Sequence, residues 1–89
     1  MITQQITVVN KLGLHARAAS RFVSTTSGYT CRIQVGYNGR MVDGKSIMAI
    51  MMLAAGQGSE LELCFNGTDE QQACDALCHL INNYFDEGE

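Results

Sequence analysis

A chain of 89 residues is long enough for one domain with a modest hydrophobic core and too short for two. Hydrophobic residues make up 46% of it and charged residues 17%, which is typical of a globular protein and argues against a disordered one. The net charge of −3 argues against a nucleic-acid-binding protein, and no apolar run approaches the roughly 20 residues that span a membrane.

The chain begins with a predicted strand, followed by a turn and a helix. Apolar residues alternate with Gln and Thr in the strand: Ile2, Ile6 and Val8. The strand ends near Asn10, Gly13 turns the backbone, and good helix formers begin directly after His15. The apolar stripe of this helix follows at helical spacing: Ala19, Phe22, Val23 and Thr26. Ser27-Gly28 indicates its end.

A β-hairpin is predicted next. Apolar residues alternate along its first strand: Cys31, Ile33, Val35 and Tyr37. Asn38-Gly39 favours a tight turn because both residues tolerate a positive φ. Residues 40–42 then return as the third strand of the fold.

The second half of the chain predicts two helices separated by a strand. Ser46 is a natural N-cap for an apolar helix over residues 47–54, which Gly56-Gln57-Gly58 would end. Alternating apolar residues predict the fourth strand: Leu61, Leu63 and Phe65. Thr68-Asp69-Glu70-Gln71 is typical of a capping box at the start of the last helix. The apolar stripe of that helix comprises Ala73, Ala76, Leu77, Leu80, Ile81 and Tyr84.

The element order is therefore β-α-β-β-α-β-α. Four strands that each bury one face, with three helices that each carry one apolar stripe, favour a two-layer α+β domain. The first residues, Met1 to Gln4, lack the basic and apolar regions of a signal peptide. We therefore expect a single cytoplasmic domain over residues 1–89.

The candidate site lies at His15, at the start of the first helix. A helix N-terminus presents N–H groups and the positive end of the helix dipole, and such a place binds anions. Arg17 adds a planar donor group suited to phosphate, and Lys11 and Lys45 are further cations expected nearby. A titratable nucleophile at an anion site suggests a histidine that is itself phosphorylated, although a histidine near a helix start is often only a surface residue.

The segment Gly13-Leu14-His15-Ala16-Arg17-Ala18-Ala19 resembles the active-site motif of the HPr family, the histidine-containing phosphocarriers of the bacterial phosphotransferase system. The family motif reads Gly-Leu-His-Ala-Arg-Pro-Ala, so Ala18 takes the place of its proline. The resemblance covers the whole chain. It implies the family fold, an open-faced two-layer sandwich with three helices on one face of a four-stranded antiparallel sheet. Because alanine is the best helix former, we expect Ala18 to have only a small effect.

The same resemblance implies the chemistry and the partners. His15 would be phosphorylated on Nδ1, accepting the phosphoryl group from enzyme I and passing it to enzyme IIA-type acceptors. Independently of the resemblance, the helix start makes the N–H groups of Ala16, Arg17 and Ala18 the candidate cradle for the phosphate, and the Arg17 guanidinium would stabilise its charge. Such a protein is a monomeric phosphoryl carrier rather than a stand-alone enzyme, and it needs no metal or organic cofactor. Sugar-transport and nitrogen-related carriers share the motif, so both branches stay open.

The second helix carries a further candidate site. Gly44-Lys45-Ser46-Ile47-Met48 resembles the regulatory-serine segment of HPr proteins that are substrates of HPr kinase/phosphorylase, although an N-cap role alone also explains Ser46. A regulatory binding module that acts mainly through Ser46 is therefore the alternative to a phosphocarrier. The pattern of this helix predicts that Ile50 and Leu53 pack inward, and apolar stripes on helices more often belong to the core than to an interface. The resemblance nevertheless implies a docking face here, formed together with the first helix, so we expect the remaining apolar residues to be partly exposed. Its candidate side chains are Leu14, Ile47, Met48 and Met51.

Four cysteines leave a small metal or redox protein as a third interpretation: Cys31, Cys64, Cys74 and Cys78. In a cytoplasmic chain such thiols are expected to stay reduced. Cys74 and Cys78 lie on a predicted helix beside His79, whereas zinc sites favour closer pairs, and His79 points about 100° away from Cys78. We therefore expect packing thiols and no metal site.

Overall fold

The structure is a computed structural model that describes residues 1–86. Its strands and helices are β1 (Ile2–Thr7), α1 (Ala16–Thr26), β2 (Arg32–Tyr37), β3 (Arg40–Asp43), α2 (Ile47–Met52), β4 (Glu60–Asn66) and α3 (Glu70–Asn82), followed by a 3₁₀ turn (Tyr84–Asp86). The strands form one antiparallel sheet in the order β1-β4-β2-β3. The expected open-faced α+β sandwich is confirmed. Within residues 1–86, no helix is long and apolar enough to cross a membrane.

The core lies between the sheet and the helices. Ile6 pairs with Leu61 across β1 and β4, and Val35 pairs with Leu63 across β2 and β4, so apolar residues of neighbouring strands meet on one face. Each of these four is at most 8% exposed. The helices contribute further buried residues: Ala19, Phe22, Ile50, Leu77 and Ile81. The hairpin turn Asn38-Gly39 has the predicted positive φ angles of 53° and 81°.

α1 and α2 pack side by side and run in opposite directions. At the C-terminal end of α1, the Thr26 hydroxyl donates a hydrogen bond to the Gly44 carbonyl at 2.8 Å. At the other end, the Leu14 N–H donates to the Ala55 carbonyl at 2.9 Å. The 11 residues of α1 span about 16 Å at 1.5 Å per residue. Residues just before α1 therefore meet the chain after α2, and residues just before α2 meet the end of α1.

α2 is shorter than predicted. It ends at Met52 instead of residue 54. Ala54 has a φ of 55°, a left-handed conformation that commonly ends helices. The predicted stop at Gly56-Gln57-Gly58 is wrong because Ala54 has already reversed the chain. This earlier turn lets the Ala55 carbonyl accept the hydrogen bond from Leu14.

The capping box predicted at Thr68–Gln71 does not cap the start of α3. Asp69 is the N-cap, and its side chain does not cap the helix. Its carboxylate instead accepts hydrogen bonds from the N–H groups of Thr30 (2.8 Å) and Cys31 (2.9 Å), which ties α3 to the start of β2. The hydrogen bond from Thr30 is the main reason that the pKa of Asp69 lies below its ordinary value. The Asp69 carboxylate therefore binds a residue 38 positions away in the chain, Cys31, instead of an N–H group of its own helix.

The end of α3 departs from the predicted apolar stripe. Most of the stripe is buried as predicted: Ala73, Leu77, Leu80 and Ile81. Ala76 is half-buried, and Tyr84, beyond the helix, is 40% exposed. Phe85 is buried in its place, and its carbonyl accepts a hydrogen bond from Arg21 Nη1 at 2.9 Å. Because α3 ends at Asn82, helical spacing no longer applies at Tyr84.

Candidate active site

A closed turn leads into α1. The Gly13 N–H donates to the Asn10 carbonyl at 3.2 Å, and the Asn10 side-chain amide donates to the Gly13 carbonyl at 2.7 Å. Gly13 has a φ of 66°, which glycine adopts without the strain that other residues meet. Leu14, the next residue, is tied to Ala55 by its N–H. The turn is thus anchored both to itself and to the chain after α2.

His15 is the N-cap of α1, as predicted. Its backbone is extended, and its carbonyl accepts the first helical hydrogen bond from the Ala19 N–H at 2.8 Å. His15 is half-buried, and its side chain makes no capping hydrogen bond to the helix. The N–H groups of residues 16–18 precede the ladder of helical hydrogen bonds and point out of the N-terminal end. The imidazole therefore lies beside a place suited to an anion.

Arg17 is an exposed cation in the first turn of α1, two residues after His15. Ala18, at the position of the family proline, is 0% exposed and belongs to the core. A proline in the first turn costs no helical hydrogen bond, and neither does an alanine. The exchange at residue 18 therefore leaves the helix start formed and keeps Arg17 in the same turn.

Lys45 does not join the cations near His15. Its ammonium group donates to the Tyr29 carbonyl at 2.7 Å, beyond the C-terminal end of α1. The expectation that Lys45 lies near the anion site is therefore wrong, because the opposed directions of α1 and α2 place it at the far end of the pair. Lys11 is exposed in the turn that leads to His15.

α2 presents an apolar surface to solvent. Ile47, Met48 and Met51 are 42%, 68% and 38% exposed, which confirms the exposure expected of these three residues. Ile50 and Leu53 are buried in the core on the other side, also as predicted. An α2 that is apolar all round thus divides into a buried stripe and an exposed one.

On α2 and in the turn before α1, two further exposed apolar residues were not predicted, Leu12 at 73% and Met52 at 61%. Met52 follows Met48 by one helical turn, so helical spacing could have found it. Leu12 lies in an irregular turn and has no such signal. Leu14, expected on the docking face, is only 4% exposed and packs into the core, so that expectation is corrected. We call Leu12, Ile47, Met48, Met51 and Met52 the apolar surface.

Ser46 caps α2, as predicted. Its hydroxyl oxygen accepts a hydrogen bond from the Ala49 N–H at 3.2 Å, and the residue is half-exposed. Ser46 and His15 each precede a helix, but the two helices are antiparallel. The two candidate sites therefore lie at opposite ends of the α1–α2 pair, separated by about the length of α1.

The four cysteines, Cys31, Cys64, Cys74 and Cys78, are free thiols. Burial raises the pKa of Cys31, and burial together with the neighbouring Cys74 raises the pKa of Cys78 to about 11. Both shifts disfavour the reactive thiolate. Among residues 1–86, no group of three or more His, Cys, Asp or Glu side chains is placed to hold a metal ion.

Comparison with known proteins finds relatives along the whole chain. Residues 2–83 match the family model described as "PTS HPr component phosphorylation site". The chain is 58% identical over 86 residues to the phosphocarrier protein HPr of Pseudomonas aeruginosa, with 96% of each chain covered. It is 53% identical over 90 residues to that of Pseudomonas putida, with 100% of both covered. The crystal structure of HPr-C-His from Thermoanaerobacter tengcongensis matches with a TM-score of 0.94, 42% identity and 98% of both chains covered.

Proposed function

The chain belongs to the HPr family of phosphocarrier proteins of the bacterial phosphotransferase system, and we propose that His15 is the residue that carries its phosphoryl group. The observation that supports this most directly is the position of His15 as the N-cap of α1. The other histidine, His79, lies in the last turn of α3, where the negative end of the helix dipole repels a phosphate. Of the two, His15 has the environment that stabilises an added phosphoryl group.

The reaction is a transfer between two nucleophiles. The lone pair of the His15 imidazole attacks the phosphorus of the donor, and the bond from phosphorus to the donor breaks with its electrons left on the donor. Catalysis of such a step needs mainly positioning and charge stabilisation. The N–H groups of the exposed residues Ala16 and Arg17 would receive the phosphoryl oxygens, and the Arg17 guanidinium would balance their charge. Ala18, expected as a third member of this cradle, is 0% exposed, so its N–H is not part of the proposal. The acceptor's nucleophile then takes the phosphoryl group in the same way.

We propose that the donor is enzyme I, that the acceptors are enzyme IIA-type proteins, and that all dock on the apolar surface. A carrier must present one histidine to different partners, so one surface beside that histidine would serve them in turn. Methionine side chains are flexible and polarizable, and they adapt to different partner shapes. The free cysteines are consistent with a chain that meets its partners in the reducing cytoplasm.

Ser46 is proposed as a regulatory site for HPr kinase/phosphorylase. Its hydroxyl is half-exposed, and a phosphate there would still offer acceptor oxygens to the N–H groups at the start of α2. Because Ser46 and His15 lie at opposite ends of the α1–α2 pair, the phosphate would act mainly by adding negative charge at the border of the apolar surface. It would therefore change partner docking rather than the chemistry at His15.

The test is phosphorylation by enzyme I and phosphoenolpyruvate of the wild type and of the variants His15→Ala and His79→Ala. We expect an acid-labile, base-stable phosphate on the wild type and on His79→Ala, and none on His15→Ala. Circular dichroism checks that each variant is folded. A label that persists in His15→Ala, or that disappears in His79→Ala, would contradict the assignment.

A further inference from the structure

Asn10 is a buried polar residue whose hydrogen bonding is incomplete. Within the part of the chain that the structure describes, the buried polar side chains are Asn10 and Thr26, at 0% and 1% exposure. The Thr26 hydroxyl has carbonyl partners on Val23 and Gly44. The Asn10 amide donates to the Gly13 carbonyl at 2.7 Å, but its Oδ1 is buried without a hydrogen-bond partner.

The Gly13 carbonyl determines which way the Asn10 amide points. Turning the amide over would bring Oδ1 against the carbonyl oxygen, and two acceptors repel each other. The donor end is therefore used, and the acceptor end stays buried and unpaired. A buried unpaired acceptor is unfavourable, and an apolar side chain of similar size would avoid that cost. The benefit of asparagine at this position must lie in its hydrogen bond to Gly13.

That hydrogen bond acts on the segment that carries His15. It joins residues 10 and 13 from the side chain, while the Gly13 N–H and the Asn10 carbonyl join them through the backbone. Gly13 is followed by Leu14, whose N–H is held by Ala55, and then by His15. Leu14 alone thus separates the turn from His15, and the Leu14 N–H is already hydrogen-bonded to the Ala55 carbonyl.

We propose that Asn10 is a positioning residue for phosphoryl transfer: its side-chain amide holds the Gly13 carbonyl, and the closed turn in turn holds His15 at the N-terminus of α1. Asn10 does not contact the phosphate. This inference rests on the proposed function of His15. Without the side-chain hydrogen bond, the turn is closed on itself only by the longer backbone bond of 3.2 Å, and the imidazole spends less time aligned with the N–H groups of α1.

The test compares Asn10→Leu with Thr26→Val as a matched control. Each removes a buried side-chain donor to a backbone carbonyl, but Thr26 acts at the opposite end of α1. We measure kcat and KM for phosphorylation by enzyme I, together with urea unfolding. Asn10→Leu is expected to lower kcat by about 10- to 100-fold, more than it raises KM. Thr26→Val is expected to keep kcat within about twofold of the wild type.

The loss in free energy of unfolding should be larger for Thr26→Val than for Asn10→Leu, which is the reverse of the order expected for the loss of kcat. The reason is that Asn10→Leu also removes the unpaired Oδ1, whereas Thr26→Val removes a fully bonded hydroxyl. We therefore expect Asn10→Leu to be the more stable of the two variants and the slower carrier. If Asn10 had a purely structural role, the variant with the larger loss of unfolding free energy would also have the larger loss of kcat. If the bulk of leucine prevents folding, Asn10→Ala, which adds no bulk, gives the same comparison of rates.

A wild-type kcat in Asn10→Leu or Asn10→Ala, or an equal loss of kcat in Thr26→Val, would overturn the inference. A wild type that enzyme I cannot label would instead overturn the assignment of His15. The two failures are therefore distinguishable in one set of reactions.

Discussion

Gly13 shows how much of the site depends on a single residue. Its φ of 66° is one constraint, since other residues rarely adopt it. Close packing is a second: a Cβ at this position would overlap the Ala55 carbonyl oxygen and lie 2.7 Å from Gly56 Cα. Both neighbours are backbone atoms, which cannot rotate away as a side chain can. A glycine is therefore required here for two independent reasons.

Gly13→Ala is expected to destabilise the protein and slow phosphorylation of His15. The left-handed conformation alone costs about 1–3 kcal/mol for a residue with a Cβ, and the overlap with Ala55 adds to it. Gly39→Ala is the matched control, because Gly39 has a φ of 81° but no atom within 4 Å of its Cβ position. Urea unfolding should show the larger loss for Gly13→Ala, and equal losses would argue against the packing constraint.

In α2, local interactions determine where the helix begins, and long-range ones where it ends. Ser46 caps the start by accepting a hydrogen bond from the Ala49 N–H three residues later. The end involves a distant partner, because Ala54 turns the chain so that the Ala55 carbonyl can accept from the Leu14 N–H. With six residues, the helix is too short to be stable by itself, so packing must stabilise it.

Ser46→Ala should lose the cap and destabilise the protein by about 1 kcal/mol. Ser46→Asp keeps an oxygen that can accept from Ala49, so it should retain most of the stability while adding a negative charge. We expect weaker binding to enzyme I for Ser46→Asp only. Urea unfolding and titration with enzyme I measure the two effects. Wild-type binding by Ser46→Asp would contradict a regulatory role through docking.

Assembly of the whole molecule brings the apolar surface together from two separate stretches of chain. Leu12 comes from the turn before α1, whereas the other members come from α2. The antiparallel packing of α1 and α2 places the end of α2 beside that turn. The same packing sends Ser46 and Lys45 to the opposite end.

Met48→Glu should weaken binding to enzyme I by about tenfold or more, because docking would bury the new carboxylate against apolar atoms. Met48 is 68% exposed, so the melting temperature should change little. Met41→Glu is the control: Met41 is 48% exposed on β3, where it lies beside Gly36 on the open face of the sheet. Isothermal titration against enzyme I makes the comparison, and equal affinities of the two variants would contradict docking through the apolar surface.

Features that depend on near neighbours in the chain follow from the amino-acid sequence alone. Alternation predicted the strands, helical spacing predicted the stripe of α1 and most of that of α3, and Asn38-Gly39 predicted the hairpin turn. The positions of His15 and Ser46 as N-caps were also predicted, because capping involves residues within one turn. The motif around His15 is equally local, since its seven residues are contiguous, and it indicated the family.

Contacts between distant groups, in contrast, depend on the tertiary structure. The Asp69 carboxylate binds the N–H groups before β2 instead of its own helix, Lys45 binds Tyr29, and Leu14 is buried while Leu12 is exposed. None of these outcomes has a local pattern, because each partner lies many residues away or depends on which side of a turn faces the core. Hydrogen bonds and burial of this kind exist only once the helices pack on the sheet, so the detailed shape of the site is a property of the assembled fold.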